Sequence, residues 1–283
     1  MPKQLPTLIF LLSHFLTQCQ SPYREIEHNF PYDFSAPTDV LELDSDLNEI
    51  SGLAWWGEDT LIAIEDEHAD IYFLSAQTGK ILMKSDFGDD GDYEGIAVHE
   101  RQIYVLRSDG DVYRVENPLK EEEDGDKNET DLSEDNNTEG LHFDQGLGAL
   151  LIACKEDGGT EGYRAIYKLT PGEKDVNEKP FLLIDEARLL KQLHMAYGDR
   201  FSSSFKPSGI SRHPINNDLY ILSAANSLLA SFDTANVLKE VIRLPYPYAE
   251  QIEGICFDPN GNLFISSEGS NGTIATFQMI VDE

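Results

Sequence analysis

A short phrase built around glycine and an aliphatic residue recurs five times along this chain, and no other feature limits the fold as strongly. It reads Ser51-Gly52-Leu53-Ala54, Glu94-Gly95-Ile96-Ala97, Glu139-Gly140-Leu141-His142, Ser208-Gly209-Ile210-Ser211 and Glu253-Gly254-Ile255-Cys256, with glycines 43, 45, 69 and 45 residues apart. Each phrase is followed by a turn, by an apolar run such as 61–64 or 219–222, and by a third strand-like run such as 70–74 or 273–277. Several copies add a fourth run, at 81–87, 181–184 and 240–244. Four short strands per unit of about 45 residues is the arithmetic of a β-propeller blade. Five copies therefore predict an all-β, five-bladed β-propeller.

Closure of the ring is also written in the chain. The last copy ends after its third strand, near Ile280, whereas residues 40–43 form an orphan strand ahead of the first phrase. At the edge of blade five, that N-terminal strand would join the two ends of the chain. A six-bladed ring would need a blade hidden in the 69-residue interval; the five-copy count needs none. Within that interval, residues 185–197 place Leu189, Leu190, Leu193, Ala196 and Tyr197 at helical spacing, which predicts one short amphipathic helix on the rim. The other insertion, 116–135, holds ten acids and two lysines and is expected to be a mobile acidic loop. It is no EF-hand. Counting from Asp124, Glu129 stands where glycine is needed and Leu132 where a ligand is needed.

The N-terminus carries an address. Residues 1–19 hold a short, mostly apolar stretch, well under the roughly 20 residues that span a bilayer. The stretch ends at Cys19 with Leu16 three positions earlier, the pattern of a lipoprotein-type signal peptide with Cys19 as the lipidation site. Residues 20–37 are expected to be a tether and 38–283 the propeller domain. The expected location is the bacterial cell envelope, with the membrane as a partner through the lipid anchor. Cys154 and Cys256 lie in strand-like runs and are expected to be buried thiols.

Composition decides which partners are admissible. With 21 Lys+Arg against 52 Asp+Glu, the net charge is −31. Such a surface repels nucleic acid and attracts cations. In a propeller the loop entering strand one and the loop leaving strand two open on the same face. Glu94, Glu139 and Glu253 stand at the entry, and Asp66, Glu156 and Glu268 on the exit loops, so six carboxylates are candidates for one channel mouth. Arg107 and Lys155 join them as candidate ligand-binding cations. Crowded carboxylates raise one another's pKa or need a cation, and oxygen ligands drawn from several blades suit Ca²⁺, the candidate cofactor. The competing expectation is structural: the glutamates accept hydrogen bonds from inner-strand amides, and the glycine allows a tight entry turn. No Gly-x-Ser-x-Gly and no His-Glu-x-x-His occurs, and His142 and His213, beside strand one, are expected to be structural.

These phrases, with Ala153-Cys154-Lys155, the run 218–223 and Ser266-Ser267-Glu268-Gly269, resemble the SdiA-regulated, YjiK-like propellers over residues 38–283. The resemblance implies a propeller, an envelope location and calcium binding, and it implies no established reaction. Related propellers with similar phrases include phytase-like esterases and lactonases that use a central Ca²⁺; here Ser223-Ala224 stand where their Asn or Asp ligands would be expected. The expectation is a monomeric, envelope-anchored binding propeller of undetermined ligand. A Ca²⁺-dependent hydrolase of phosphoesters or lactones is the alternative.

Overall fold

Strand count follows repeat count. The computed structural model describes residues 27–156, 160–176, 179–198, 204–245 and 248–281, and among them the strands form five four-stranded antiparallel sheets. β1 (Asp39–Glu42) precedes the first blade, which is built of β2 (Ile50–Gly57), β3 (Thr60–Glu65), β4 (Asp70–Ser75) and β5 (Ile81–Asp86). Blade two holds β6 (Tyr93–His99), β7 (Gln102–Arg107), β8 (Val112–Val115) and β9 (Asp126–Asn128). Blade three holds β10 (Thr138–Asp144), β11 (Ala149–Cys154), β12 (Tyr163–Leu169) and β13 (Leu182–Asp185), followed by helix α1 (Glu186–Tyr197). Blade four holds β14 (Pro207–Arg212), β15 (Leu219–Ser223), β16 (Leu228–Phe232) and β17 (Leu238–Arg243). Blade five holds β18 (Gln251–Phe257), β19 (Leu263–Glu268) and β20 (Thr273–Phe277).

The first strands of neighbouring blades pack against one another around the ring, β18 returning to β2. β1 pairs antiparallel with β20, Asp39 opposite Thr276 and Glu42 opposite Thr273, so the N-terminal strand completes blade five as its fourth strand. The interval between blades three and four holds α1. Asp185 caps it, its carboxylate accepting from the Arg188 N–H at 3.0 Å, and Leu189 and Leu193 are buried against Ile184 and Phe205. Second strands are covered on both faces, which is why β11 reads as an unbroken apolar run with every residue buried. Cys154 and Cys256 are free, buried thiols.

Each phrase carries a β-bulge. The ladder between first and second strands slips between Ile50 and Gly52, Tyr93 and Gly95, Thr138 and Gly140, Pro207 and Ile210, and Ile252 and Ile255. The residue before the glycine therefore falls in the bulge, and a bulge re-aims the side chain it carries. The glycine itself does not make a tight entry turn, because none of the five phrase glycines has a positive φ. It is small so that the next blade can come close. A Cβ on Gly95 would lie 2.8 Å from Leu141 N and 2.9 Å from Glu139 O, and one on Gly254 would lie 2.9 Å from Leu53 N.

Two expectations need correction. Much of the stretch assigned to a tether is packed: Phe30, Tyr32 and Phe34 are buried in one cluster with Tyr220, Phe257 and Phe277. The Tyr32 hydroxyl donates to Gly261 O at 2.6 Å, and the Tyr248 hydroxyl donates to Phe34 O at 2.6 Å. The alternating aromatics form a strap over blades four and five. The signal peptide, Cys19 and residues 20–26 lie outside the described residues. The acidic insertion also has structure, since it contains β9, with Asn128 opposite Val112 on β8. An outermost strand needs backbone pairing more than apolar side chains, so composition hides it. Arg114 meets Asp126 at 2.9 Å, which balances part of the insertion's charge, and Lys127 Nζ ties the insertion to Asp111 at 2.7 Å.

Candidate functional site

The bulges put three carboxylates at one end of the channel. Glu94, Glu139 and Glu253 occupy the bulged position in blades two, three and five; Ser51 and Ser208 hold it in blades one and four. The serines act as inter-blade ties, Ser51 Oγ donating to Tyr93 O at 2.7 Å and Ser208 Oγ to Ile252 O at 2.8 Å. Glutamate is too long for that tie. Glu139 and Glu253 are only 2% and 7% exposed, and a buried carboxylate needs a proton or a cation.

Lys155 is the cation paired within the group, and Lys206 adds a weaker pull on Glu139. Lys155 Nζ lies 2.8 Å from Glu139 Oε1, and its field reaches Glu94, Glu253 and Glu268. It does not balance them. Burial, then Glu139 and Asp92, push the Glu94 carboxyl up to about 9. Burial, then Glu139 and Glu268, push Glu253 up to about 8. Burial followed by Asp66 and Glu49 raises Glu268 to about 7, and burial followed by Glu49 raises Asp66 to about 6. Burial also raises Glu139, against the pull of Lys155. Burial opposes the charge on Lys155, yet Glu139, and after it Glu253 and Glu94, hold its ammonium above its ordinary pKa. Near pH 7 the mouth therefore holds protons on Glu94 and Glu253 that an incoming cation would displace.

Of the eight residues expected at the mouth, six act on one another there: Glu94, Glu139, Glu253, Glu268, Asp66 and Lys155. Arg107 is held by its own hairpin, with Nη2 at 2.6 Å from Asp109 and 2.7 Å from Asp111, and Nη1 donating to the Tyr113 hydroxyl at 3.0 Å. Glu156 is paired with Lys206 at 2.6 Å. Glu49, Asp92 and Lys206 were not anticipated. Each stands two residues before the bulged position of its blade, so the strand's period of two was the available signal.

The donor set is all oxygen, as Ca²⁺ requires, and Asp66 Oδ1 is buried without a hydrogen-bond partner among the described residues. The spacing is wider than a preformed cage. Among the described residues, the group of three potential ligand atoms within 4.8 Å of one another is Glu65, Glu67 and His68, which flank Asp66 and do not include the bulge glutamates. There the Glu65 carboxylate is already used, accepting from the Glu67 and His68 N–H groups at 3.0 and 2.7 Å and meeting His68 Nδ1 at 2.8 Å. A cation at the mouth would have to draw the glutamates inward or be held partly through water.

Just inside the bulges the channel narrows to a space of about 10 Å³ between the glycine phrases, roughly the room for one water. Beyond it lies a cavity of about 490 Å³, lined by the far ends of the first strands and by the turns that follow them, so it opens on the opposite face. Its polar groups include His142 and Arg212. The phrases contain its lining residues, but as plain strand positions they carry no separate signal.

A family model described as SdiA-regulated matches residues 30–271. No curated protein matches the chain. Among solved structures, a glutaminyl cyclase from Myxococcus xanthus superposes with a TM-score of 0.60 at 14% identity, over 87% of this chain and 97% of that one. A luciferin-regenerating enzyme gives a TM-score of 0.51 at 12% identity, over 86% and 95%. A streptogramin B lyase gives 0.51 at 10% identity, over 85% and 97%. At these identities the likeness is one of fold.

Proposed function

Since this chain belongs to the SdiA-regulated family and folds as a five-bladed propeller, we propose that it is a non-enzymatic, envelope-anchored binding protein whose acidic channel mouth takes a cation, with Ca²⁺ as the first candidate. The observation that carries this is the set of bulge-borne glutamates, Glu139 and Glu253 buried and Glu94 half-buried with them, offset by the half-buried Lys155 and more weakly by Lys206. Their charge repulsion is relieved either by protons or by a cation, and a net charge of −31 concentrates cations around the molecule. Glu268 and Asp66 supply further oxygens at the same mouth. A bound Ca²⁺ would supply positive charge there, and the protein's part is to give up the protons on Glu94 and Glu253.

A Ca²⁺-dependent hydrolase of phosphoesters or lactones needs an ion with a free coordination position beside a substrate pocket. The neighbouring constriction of about 10 Å³ favours binding over turnover. Residues 1–19 and the acylation of Cys19 complete the proposal by placing the propeller at the envelope. Fractionation of cells carrying Cys19→Ser tests that part: the chain should leave the membrane fraction, and retention there would argue against the anchor.

Thermal unfolding of the full chain in EDTA and in millimolar Ca²⁺ tests the mouth. Binding to the native state raises the midpoint with concentration. A saturable rise that is lost in Glu94→Gln and Glu253→Gln is expected. A shift no larger than that of NaCl at matched ionic strength would sink the proposal.

A further inference from the structure

The cavity on the face opposite the acidic mouth has the dimensions and wall chemistry of a small-molecule site. Its volume of about 490 Å³ lies in the range of roughly 300–1,000 Å³ found for such sites. Leu53, Ile96, Leu141, Ile210 and Ile255, one from each blade, form an aliphatic ring next to the constriction. The following residue in each blade gives a second ring, Ala54, Ala97, His142, Ser211 and Cys256. The two alanines leave room, and the other three bring polar atoms. Trp55, Phe143 and Phe257 add aromatic lining beyond them.

The polar groups select among ligands. His142 Nε2 accepts from the Arg212 backbone N–H at 3.3 Å, which leaves the imidazole proton on Nδ1. That Nδ1–H has no hydrogen-bond partner among the described residues, and neither does Ser211 Oγ. Burial holds the ring neutral, pushing its pKa down to about 4. The charges nearby are already used: Arg212 is paired with Asp144, and Asp258 accepts from the Asn260 and Asn262 N–H groups at 2.9 and 2.8 Å. Asn262 Nδ2 occupies the second Asp258 oxygen at 2.7 Å, so both oxygens of that carboxylate are taken by amide donors and neither is left unpartnered for a cation. Donors are offered by His142 and Ser211, Gln145, His213 and Asn217 add polar atoms towards the opening, and the rest of the wall is largely apolar.

We infer that this cavity is a second binding site, for a neutral, flat, largely apolar compound with a carbonyl-type acceptor that takes the His142 Nδ1–H. The site is separate from the acidic mouth, because the constriction between the glycine phrases divides the channel. One propeller thus presents a cation site on one face and a neutral-ligand site on the other.

Nile red, a neutral planar dye with a carbonyl acceptor, is the probe. Titrated into the full chain, it should give a saturable rise in fluorescence with a blue-shifted emission. Ala97→Phe fills the cavity and should weaken binding at least tenfold. If circular dichroism shows that variant to be misfolded, Ala54→Val is the milder filler, with weakening in the same direction. His142→Phe keeps a ring and removes the donor; a loss of at least fivefold is expected, and unchanged affinity would refute the hydrogen bond. Glu94→Gln, at the other mouth, should leave Nile red binding unchanged. Non-saturable fluorescence, or affinity indifferent to the fillers, would overturn the site.

Discussion

Lys155 Nζ stands 2.8 Å from Glu139 Oε1, and from that position it is the one lysine that tempers Glu94, Glu253 and Glu268 together. The pair joins the exit of β11 to the bulge of β10. It anchors the ammonium on one carboxylate and leaves the others in excess, which makes the mouth receptive to a further cation.

Removing the ammonium strands Glu139. Breaking a fully buried pair costs about 3–5 kcal/mol, and because Lys155 remains 31% exposed the expected loss for Lys155→Met is about 2 kcal/mol. Urea unfolding at pH 7.5 measures it. Glu139→Gln in the same chain should restore most of the loss; no recovery would mean that Lys155 acts through packing.

The mouth sets the pH dependence of stability. Glu94 and Glu253 have folded pKa values raised above 4.5, to about 9 and about 8. Their stabilising contribution is complete below about 4.5 and is lost as pH rises through 8 and 9. In EDTA the unfolding midpoint should fall between pH 6 and pH 9.5, and Glu94→Gln should flatten the fall. Stabilisation by Ca²⁺ should grow over the same interval. A midpoint that rises with pH there would contradict these assignments.

The aromatic strap belongs to the folded body. Phe34 is 1% exposed and packs edge-on against Phe277, with ring centroids 5.2 Å apart. Phe34→Ala should cost about 3–5 kcal/mol, and a chain starting at Thr38 should unfold at a clearly lower temperature than the full chain. Equal midpoints would make the strap dispensable.

At Gly95 the demand is for space between blades. A methyl group there meets the backbone of blade three at 2.8 Å, so Gly95→Ala should destabilise by about 1–3 kcal/mol through overpacking. Since φ at Gly95 is not positive, unaltered stability would show that the blades separate easily.

How much was legible follows from which interactions leave a mark on composition. The five phrases and the apolar second strands announce themselves, and the orphan strand β1 is visible because blade five lacks a fourth strand. β9 is not visible: its sequence, Asp126-Lys127-Asn128, pairs through the backbone and carries no apolar period. The strap went unseen because Phe30, Tyr32 and Phe34 sit among prolines and polar residues and are buried only by contacts far along the chain. At the mouth, position in the repeat was enough to bring together the three bulge glutamates, Glu268, Asp66 and Lys155. Arg107 is instead captured by its near neighbours Asp109 and Asp111, and Glu156 is paired with Lys206. The bulge that turns the glutamates is a register shift, which the sequence shows only as a conspicuous glycine.

Calorimetric titration of Ca²⁺ into the full chain at pH 7.5, in two buffers of different ionisation enthalpy, addresses the central claim most directly. Because Glu94 and Glu253 hold protons at that pH, cation binding at the mouth should release protons, and the observed heat should depend on the buffer, with the release reduced in Glu94→Gln. Absence of saturable heat, or binding with the same heat in both buffers, would contradict a cation site built on these glutamates.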